Sequence, residues 1–398
     1  ASGFAVGGSN IDVFIGYADD TLDPTKSLSQ QSAKLYGLGA EGIDFGLMMI
    51  KSKSGDKFTA LKAHADSIRI YGFDPKDFEL SVSGIDFEVN MGKSMNDPAL
   101  DFIKSFGPTG FALQTGADPI MMDFRGPRLA ASLRNATLRI SDFVYLSGSF
   151  AFQKGEMVRI GVKGPLGLSV DNVPAEAMTI GATNVQAFIG ANGPYRTDTN
   201  GDGVVNTLDA IDPDAVGVVV DDLSFALAML ETKVDLTNPL TAAVAGQKFT
   251  ALRASANLIG FVGLPSSLSA KLKDIDVYIN KSDNQLFTAD FTQGGKVNGL
   301  SIPTGDPNRP AIFTMDKQIV SASIGFMKLN ILNVVSVEGG LTLQIRREDN
   351  ASVFVAGVKV PLMGFKGLVL AGQNLSVFAG INGPYLTDSD EDGSLADE

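Results

Sequence analysis

The chain contains no cysteine and no tryptophan, and only one of its 398 residues is histidine. Without cysteine there are no disulfides, thiolate metal sites or cysteine nucleophiles. Any histidine-based mechanism must use His64, so a multi-histidine zinc or iron site is excluded by count. Positive charge is also scarce. Thirty-two Lys and Arg face 45 Asp and Glu, for a net charge of -13, which argues against a nucleic-acid partner, since that surface needs a basic patch. No apolar run approaches the roughly 18 residues of a spanning helix, so no membrane span is expected. The first residues, Ala1-Ser-Gly-Phe-Ala-Val-Gly-Gly8, lack the basic start and apolar core of a signal peptide. Phosphate-loop and nucleophile-elbow motifs are missing as well. These absences favour a protein that is not an enzyme.

What is present centres on Asp198-Thr-Asn-Gly-Asp-Gly-Val-Val-Asn-Thr-Leu-Asp209. Calcium takes six to eight hard oxygens, and a twelve-residue loop can supply them from positions 1, 3, 5, 7, 9 and 12 around a glycine at 6. Here those positions are Asp198, Asn200, Asp202, the Val204 carbonyl, Asn206 and Asp209, with Gly203 at the turn. The competing explanation is a solvated Asp/Asn/Gly turn, which these residues form for local reasons. Agreement in kind and spacing at seven positions favours Ca2+.

The loop follows Phe188-Ile-Gly-Ala-Asn-Gly-Pro-Tyr195, and the phrase returns as Phe378-Ala-Gly-Ile-Asn-Gly-Pro-Tyr385. A second acidic loop follows it, with Asp388, Asp390 and Asp392 at ligand positions 1, 3 and 5. The last residue, Glu398, falls one short of position 12, so the remainder is expected from further chain or a neighbouring subunit. Phe14-Ile-Gly16 is a weaker first instance, without the glycine turn. Other blocks keep a fixed offset. Lys57-Phe-Thr-Ala-Leu61 matches Lys248-Phe-Thr-Ala-Leu252, and Gly148 matches Gly339, both 191 residues on. Phe14 and Phe188 are 174 apart, the shortfall falling where only the second copy carries a loop. The expected organisation is a first repeat unit over 1–186, a second over 187–376 opening with the calcium loop, and the start of a third, or an acidic tail, over 377–398.

Within a unit the pattern is of strands. Ser67-Ile-Arg-Ile-Tyr71, Ile85-Asp-Phe-Glu-Val89 and Ile275-Asp-Val-Tyr-Ile279 alternate apolar and polar residues, the period of antiparallel sheet. The segments 43–50 and 222–231 could be short helices by residue type, but lie between turn-rich stretches and alternate in part, so strands are preferred. The fold class is all-β: two tandem, diverged β-rich domains with a calcium loop at their junction. A curved sheet, a sandwich and a short β-solenoid all satisfy the pattern.

His64 lies in a strand-like run, and its counterpart 191 residues on is Ser255, so the architecture does not require histidine there. A surface-strand role is favoured over catalysis. Tyr195 and Tyr385 follow rigid Gly-Pro turns; packing between units is preferred to sugar stacking.

The Phe-Ile-Gly-x-Asn-Gly-Pro-Tyr phrase, the DxNxDG loop and the unit near 190 residues together resemble the repeat modules of giant bacterial surface proteins of the RTX-adhesin-like kind. The loop by itself resembles the dockerin variant of the EF-hand, with Asp at position 12, although the helix of a dockerin is replaced by Ile211-Asp-Pro-Asp-Ala-Val-Gly217. The resemblance implies a secreted or cell-surface protein built of tandem copies and stiffened by calcium. The function expected is a structural part of a surface fibre, sheath or adhesin stalk, whose partners are other copies of the repeat. The alternative is a β module that binds a glycan or a cell surface.

Overall fold

The computed structural model describes residues 2–95, 97–293, 299–348, 351–362, 365–386 and 389. The first set of strands is β1 (Ser2–Ala18), β2 (Leu35–Lys51), β3 (Lys57–Tyr71), β4 (Phe78–Met91), the short β5 (Phe111–Leu113) and β6 (Ile120–Met122), β7 (Arg128–Ile140) and β8 (Val144–Lys163). The second is β9 (Ser169–Ala191), β10 (Arg196–Thr197), β11 (Ala210–Ile211), β12 (Val216–Thr232), β13 (Lys248–Val262), β14 (Leu268–Ser282), β15 (Thr288–Asp290), β16 (Leu300–Ile302), β17 (Ala311–Phe313), β18 (Ile319–Ile331) and β19 (Val335–Glu348). The chain then adds β20 (Ala351–Val355), β21 (Val358–Leu362) and β22 (Phe365–Ala379). Among the described residues one α-helix of five residues, α1 (Phe102–Phe106), and three short 3-10 turns, Ser29–Lys34, Pro165–Gly167 and Pro239–Val244, interrupt them. The segments that could have been helices, 43–50 and 222–231, lie inside β2 and β12.

The long strands form one antiparallel sheet in the order β1-β2-β3-β4-β7-β8-β9-β12-β13-β14-β18-β19-β22, and β15 adds to β8 as the fourteenth member. β1 and β22 do not pair, so the sheet is open. Of the three forms left open by the alternation, a sandwich would need a second large sheet and a solenoid would need parallel coils; the described residues form neither. Neighbours in sequence are neighbours in the sheet because hairpin connections favour adjacent antiparallel strands.

The strands of the two halves follow one another in a matching order. β1 and β9 each carry the Phe-x-Gly phrase and β22 ends inside it, at Ala379; β2 corresponds in order to β12, β3 to β13, β4 to β14, β7 to β18 and β8 to β19. Gly148 and Gly339, matched by sequence, both have positive φ (150° and 131°). Both sit at a register shift of the sheet, the first against β7 and the second against β18. Positions 186 and 187 lie inside β9, and 376 and 377 inside β22. By contacts the chain falls into two units: Ala1–Met157 with Glu176–Thr183 and Pro303–Pro310, and Val158–Ala175 with Asn184–Ile302 and Ala311–Glu398.

A single sheet buries a core only if something covers a face. In the first unit the 36-residue connection from β4 to β7, residues 92–127, does so. Phe102, Leu113, Met122 and Phe124 pack against Met48 of β2 and Ala60 of β3. Phe102 and Phe124 meet edge to face at 6.0 Å. Each such ring contributes about 1.5–3 kcal/mol by burial. The buried Asn90 amide holds both ends of the connection, donating at 2.8 Å to the Leu100 and Gly126 carbonyls. The second unit repeats the device. Asn280 donates to the Ala289 and Lys317 carbonyls at 2.8 and 3.0 Å, and Phe291 packs edge to face on Phe313 at 5.4 Å.

The β15 addition is held by charge. Buried Asp290 accepts from Thr292 and lies 2.7 Å from the half-exposed Lys163 ammonium. Burial pushes the Asp290 carboxyl up, but the bonds from Lys163 and Thr292 outweigh it and hold it below the ordinary 3.8. Burial likewise pushes Lys163 down, and Asp290 with Asp316 holds it above 10.5. A depressed carboxyl contributes stability above its ordinary value and loses it as pH falls through the lower folded value. The raised lysine contributes below 10.5 and loses it only as pH climbs past that. The pair is therefore intact across neutral pH. Asp290→Asn is expected to flatten part of the loss in urea midpoint between pH 5 and pH 2, and a variant whose acid dependence matches the parent would contradict this.

Candidate functional site

The Asp198–Asp209 segment forms a closed loop on a two-stranded base, with Arg196 opposite Ile211 and Thr197 opposite Ala210 in β10 and β11. Its conformation follows from side chains that fold back on their own backbone. The two oxygens of Asp198 accept the N–H groups of Gly201 and Gly203, at 2.7 and 2.9 Å. Asn200, Asp202 and Asn206 each accept the N–H two residues ahead, at 2.8–2.9 Å. These are Asx turns, and one falls at each of ligand positions 3, 5 and 9. Gly201 and Gly203 have φ of 74° and 78°. That left-handed conformation costs a side-chain-bearing residue about 1–2 kcal/mol and glycine nothing. Asp209 closes the loop from a buried position, accepting from the Asn206 and Thr199 N–H groups at 2.9 and 3.1 Å.

The predicted ligands thus lie on one turn, with Asp198, Asn200 and Asp202 exposed, Val204 and Asn206 half-buried and Asp209 inside. An ionised carboxylate oxygen has two lone pairs, so accepting one N–H leaves capacity for a cation. Two amide groups act where a cation would. Asn200 Nδ2 donates to Asp202 at 3.1 Å, and Asn206 Nδ2 donates to the Val204 carbonyl at 3.1 Å. Among the described residues no three His, Cys, Asp or Glu side chains converge as a metal-binding group. The loop's donor set holds only three carboxylates, the rest being amide and backbone oxygens. Asp388, Asp390 and Asp392 lie outside the described residues.

The attachment of the loop to the sheet was not legible in the sequence. Buried Arg196 bonds Asp221 of β12 through Nε and Nη2, both at 2.8 Å, and gives Nη1 to the Asp209 carbonyl at 2.7 Å. Asp221 is 0% exposed and also accepts from Asn257 at 2.8 Å. The bonds to Asp221 raise the Arg196 guanidinium above its ordinary value. Asn184 of β9 adds a tie at mid-loop, donating to the Val205 carbonyl at 3.1 Å. The signal available was a difference between copies: Arg196 follows Asn-Gly-Pro-Tyr195, whereas Leu386 follows Asn-Gly-Pro-Tyr385. In the first copy the equivalent of Asp221 is the buried Glu41. It has no loop arginine and accepts instead from Ser29, Ser67 and Tyr71.

Tyr195 is half-buried with the Arg196 guanidinium 5.6 Å from its ring centre, whereas Tyr385 is exposed. His64 sits in β3, its Nδ1 2.7 Å from Asp86 and its Nε2 3.4 Å from Asp66. The nearby Ser132 hydroxyl donates to Asp86 at 3.1 Å. It is therefore engaged by the carboxylate and not poised on the imidazole as a nucleophile needs. No helix among the described residues is long and apolar enough to cross a membrane. No protein-family model matches the chain, and comparison with curated proteins and with solved structures gave no match.

Proposed function

We propose that the chain is a calcium-stabilised structural repeat of a secreted or cell-surface assembly, and that the Asp198–Asp209 loop is its cation clamp. The observation that carries this reading is the loop itself. Ligand positions 1, 3, 5 and 9 are each held by a backbone N–H bond, and position 12 is buried and tied through Arg196 to Asp221. Bound calcium would take oxygens from Asp198, Asn200, Asp202, Val204, Asn206 and Asp209. It would neutralise their charge and transmit rigidity into β9 and β12. Extracellular modules work at calcium affinities of about 10⁻⁴–10⁻³ M, which a loop with three carboxylates can meet. The remaining work is mechanical: the repeats present a long sheet, and no catalytic grouping is invoked.

The test is thermal unfolding with calcium and with excess chelator, alongside small-angle scattering of the same samples. A ligand at 100 times its Kd stabilises by about 2.7 kcal/mol, so calcium should raise the melting temperature by several degrees. Asp198→Ala with Asp209→Ala should abolish the difference, and magnesium should not substitute. Identical melting and scattering in calcium and chelator would overturn the clamp.

A further inference from the structure

In the first unit the charges and the cover share one face of the sheet. Met48 and Ala60 lie under Phe102 and Phe124. Two and four residues on from Ala60, on that same face, Lys62 and His64 stand opposite Glu88 and Asp86. The residues between them point the other way. There Phe45 of β2, Ala63 of β3, Phe87 of β4, Ala131 of β7 and Phe152 of β8 stand opposite one another in a single row. This second face runs over alternate positions from Ile43 to Met49 along β2 and from Ile85 to Met91 along β4, all apolar. Beside the Phe/Ala row, Leu129 meets a charge at Lys154 of β8, at the corner. Phe87, in the middle of its row, is 37% exposed, and Met49 is 51% exposed.

Strand spacing gives the size. Four alternate positions on β1, β2, β3, β4, β7 and β8 make a face of about 750 Å2. The largest apolar patch of an ordinary monomer is about 300–600 Å2, and one partner of a standard interface contributes about 800 Å2. The strands of the Phe/Ala row, β2 to β8, are each paired on both edges, so the open face does not depend on where the chain begins or ends.

The row also has relief. Large and small side chains alternate from strand to strand, so aromatic ridges stand about 9.6 Å apart with alanine troughs between them. The second unit keeps the alternation, in Phe225, Ala254, Val277, Ala322 and Leu343. Hydrocarbon wets any apolar surface and needs no such register, whereas two sheets packed about 10 Å apart must interdigitate.

We propose that this face of the first unit packs sheet on sheet against the same face of a second copy. The relief is self-complementary. A two-fold axis parallel to the strands, between β4 and β7, seats Phe87 on the partner's Ala131 and Phe152 on the partner's Ala63, and the reverse contacts follow by symmetry. No charge is buried in these rows. The proposal takes its partner, another copy of the chain, from the structural-repeat reading and names the face through which copies join.

The test is analytical ultracentrifugation of the full chain over a range of concentrations, in calcium and in chelator. A reversible dimer is expected in both. Phe87→Glu should weaken it at least a hundredfold and leave the circular dichroism of the monomer unchanged, because the new side chain is exposed there. Ala131→Phe should weaken it at least tenfold although it makes the face more apolar, because the trough is filled. A parent that stays monomeric up to its solubility limit would overturn the proposal. So would Ala131→Phe associating as strongly as the parent, which would mean unspecific adhesion. Binding of a monomeric parent to phosphatidylcholine vesicles would also overturn it and assign the face to lipid. Dimerisation without any calcium effect on melting would overturn the clamp and leave this face standing; a calcium effect on a monomer would do the reverse.

Discussion

Asp221→Ala is expected to destabilise the protein by about 3–5 kcal/mol, the cost of removing one partner from a buried ion pair. The carboxylate is fully enclosed and takes three hydrogen bonds, two from Arg196 and one from Asn257. Without it the buried guanidinium keeps only the Asp209 carbonyl from its present set. Urea unfolding at neutral pH measures the loss. Two controls separate charge from packing. Replacing the pair together, Arg196→Met with Asp221→Leu, should cost less than the single change, because no orphan charge remains. Glu41→Ala, at the matching place in the first copy, should cost about 1–3 kcal/mol, because it leaves only neutral hydroxyls and one N–H. On the proposed cation clamp, the single change should also weaken calcium binding, since Arg196 spans from Asp221 to the last loop position. A loss under about 1 kcal/mol with unchanged calcium binding would mean that the pair does not anchor the loop.

The second large effect is at the Phe of the repeated phrase. A strand places residues i and i+2 on one face, so each Phe lies over the glycine two residues on. A Cβ at Gly16, Gly190 or Gly380 would come within 2.9, 2.8 or 3.0 Å of the Cζ of Phe14, Phe188 or Phe378. This explains why the phrase pairs a large ring with no side chain. The three rings differ in cover. Phe188 is 1% exposed, and Phe188→Ala should cost about 3–5 kcal/mol by lost burial and a residual cavity. Phe14 and Phe378, each half-buried on an edge strand, should cost about 1–2 kcal/mol on the same substitution. Equal losses at all three positions, measured by urea unfolding, would show that the edge strands are covered in solution.

Part of the strand pattern could be read from alternation because those strands bury one face more than the other. Ser67–Tyr71, Ile85–Val89 and Ile275–Ile279 fall in β3, β4 and β14. The loop geometry was legible for a related reason: Asx turns and left-handed glycines are local, so Asp198 to Asp209 carries its own instructions. The anchors were not. Arg196 and Asp221 are 25 residues apart; the Arg196/Leu386 difference singles out the arginine, but nothing along the chain points from it to Asp221. The repeat boundaries drawn at 186 and 376 followed the conspicuous Phe-x-Gly phrase, whereas β9 and β22 begin well before it and run through both positions.

The sequence by itself determined the all-β class and the turn chemistry of the loop, because alternation and Asx turns depend on neighbours along the chain. Only the tertiary structure decided that the strands join in one open sheet, that long connections fold back to make the cores, and that a buried arginine ties the loop to β12. Those outcomes depend on which strand edges and faces meet across tens of residues. Alternation is the same in a sandwich, a solenoid or a sheet, so it cannot choose among them.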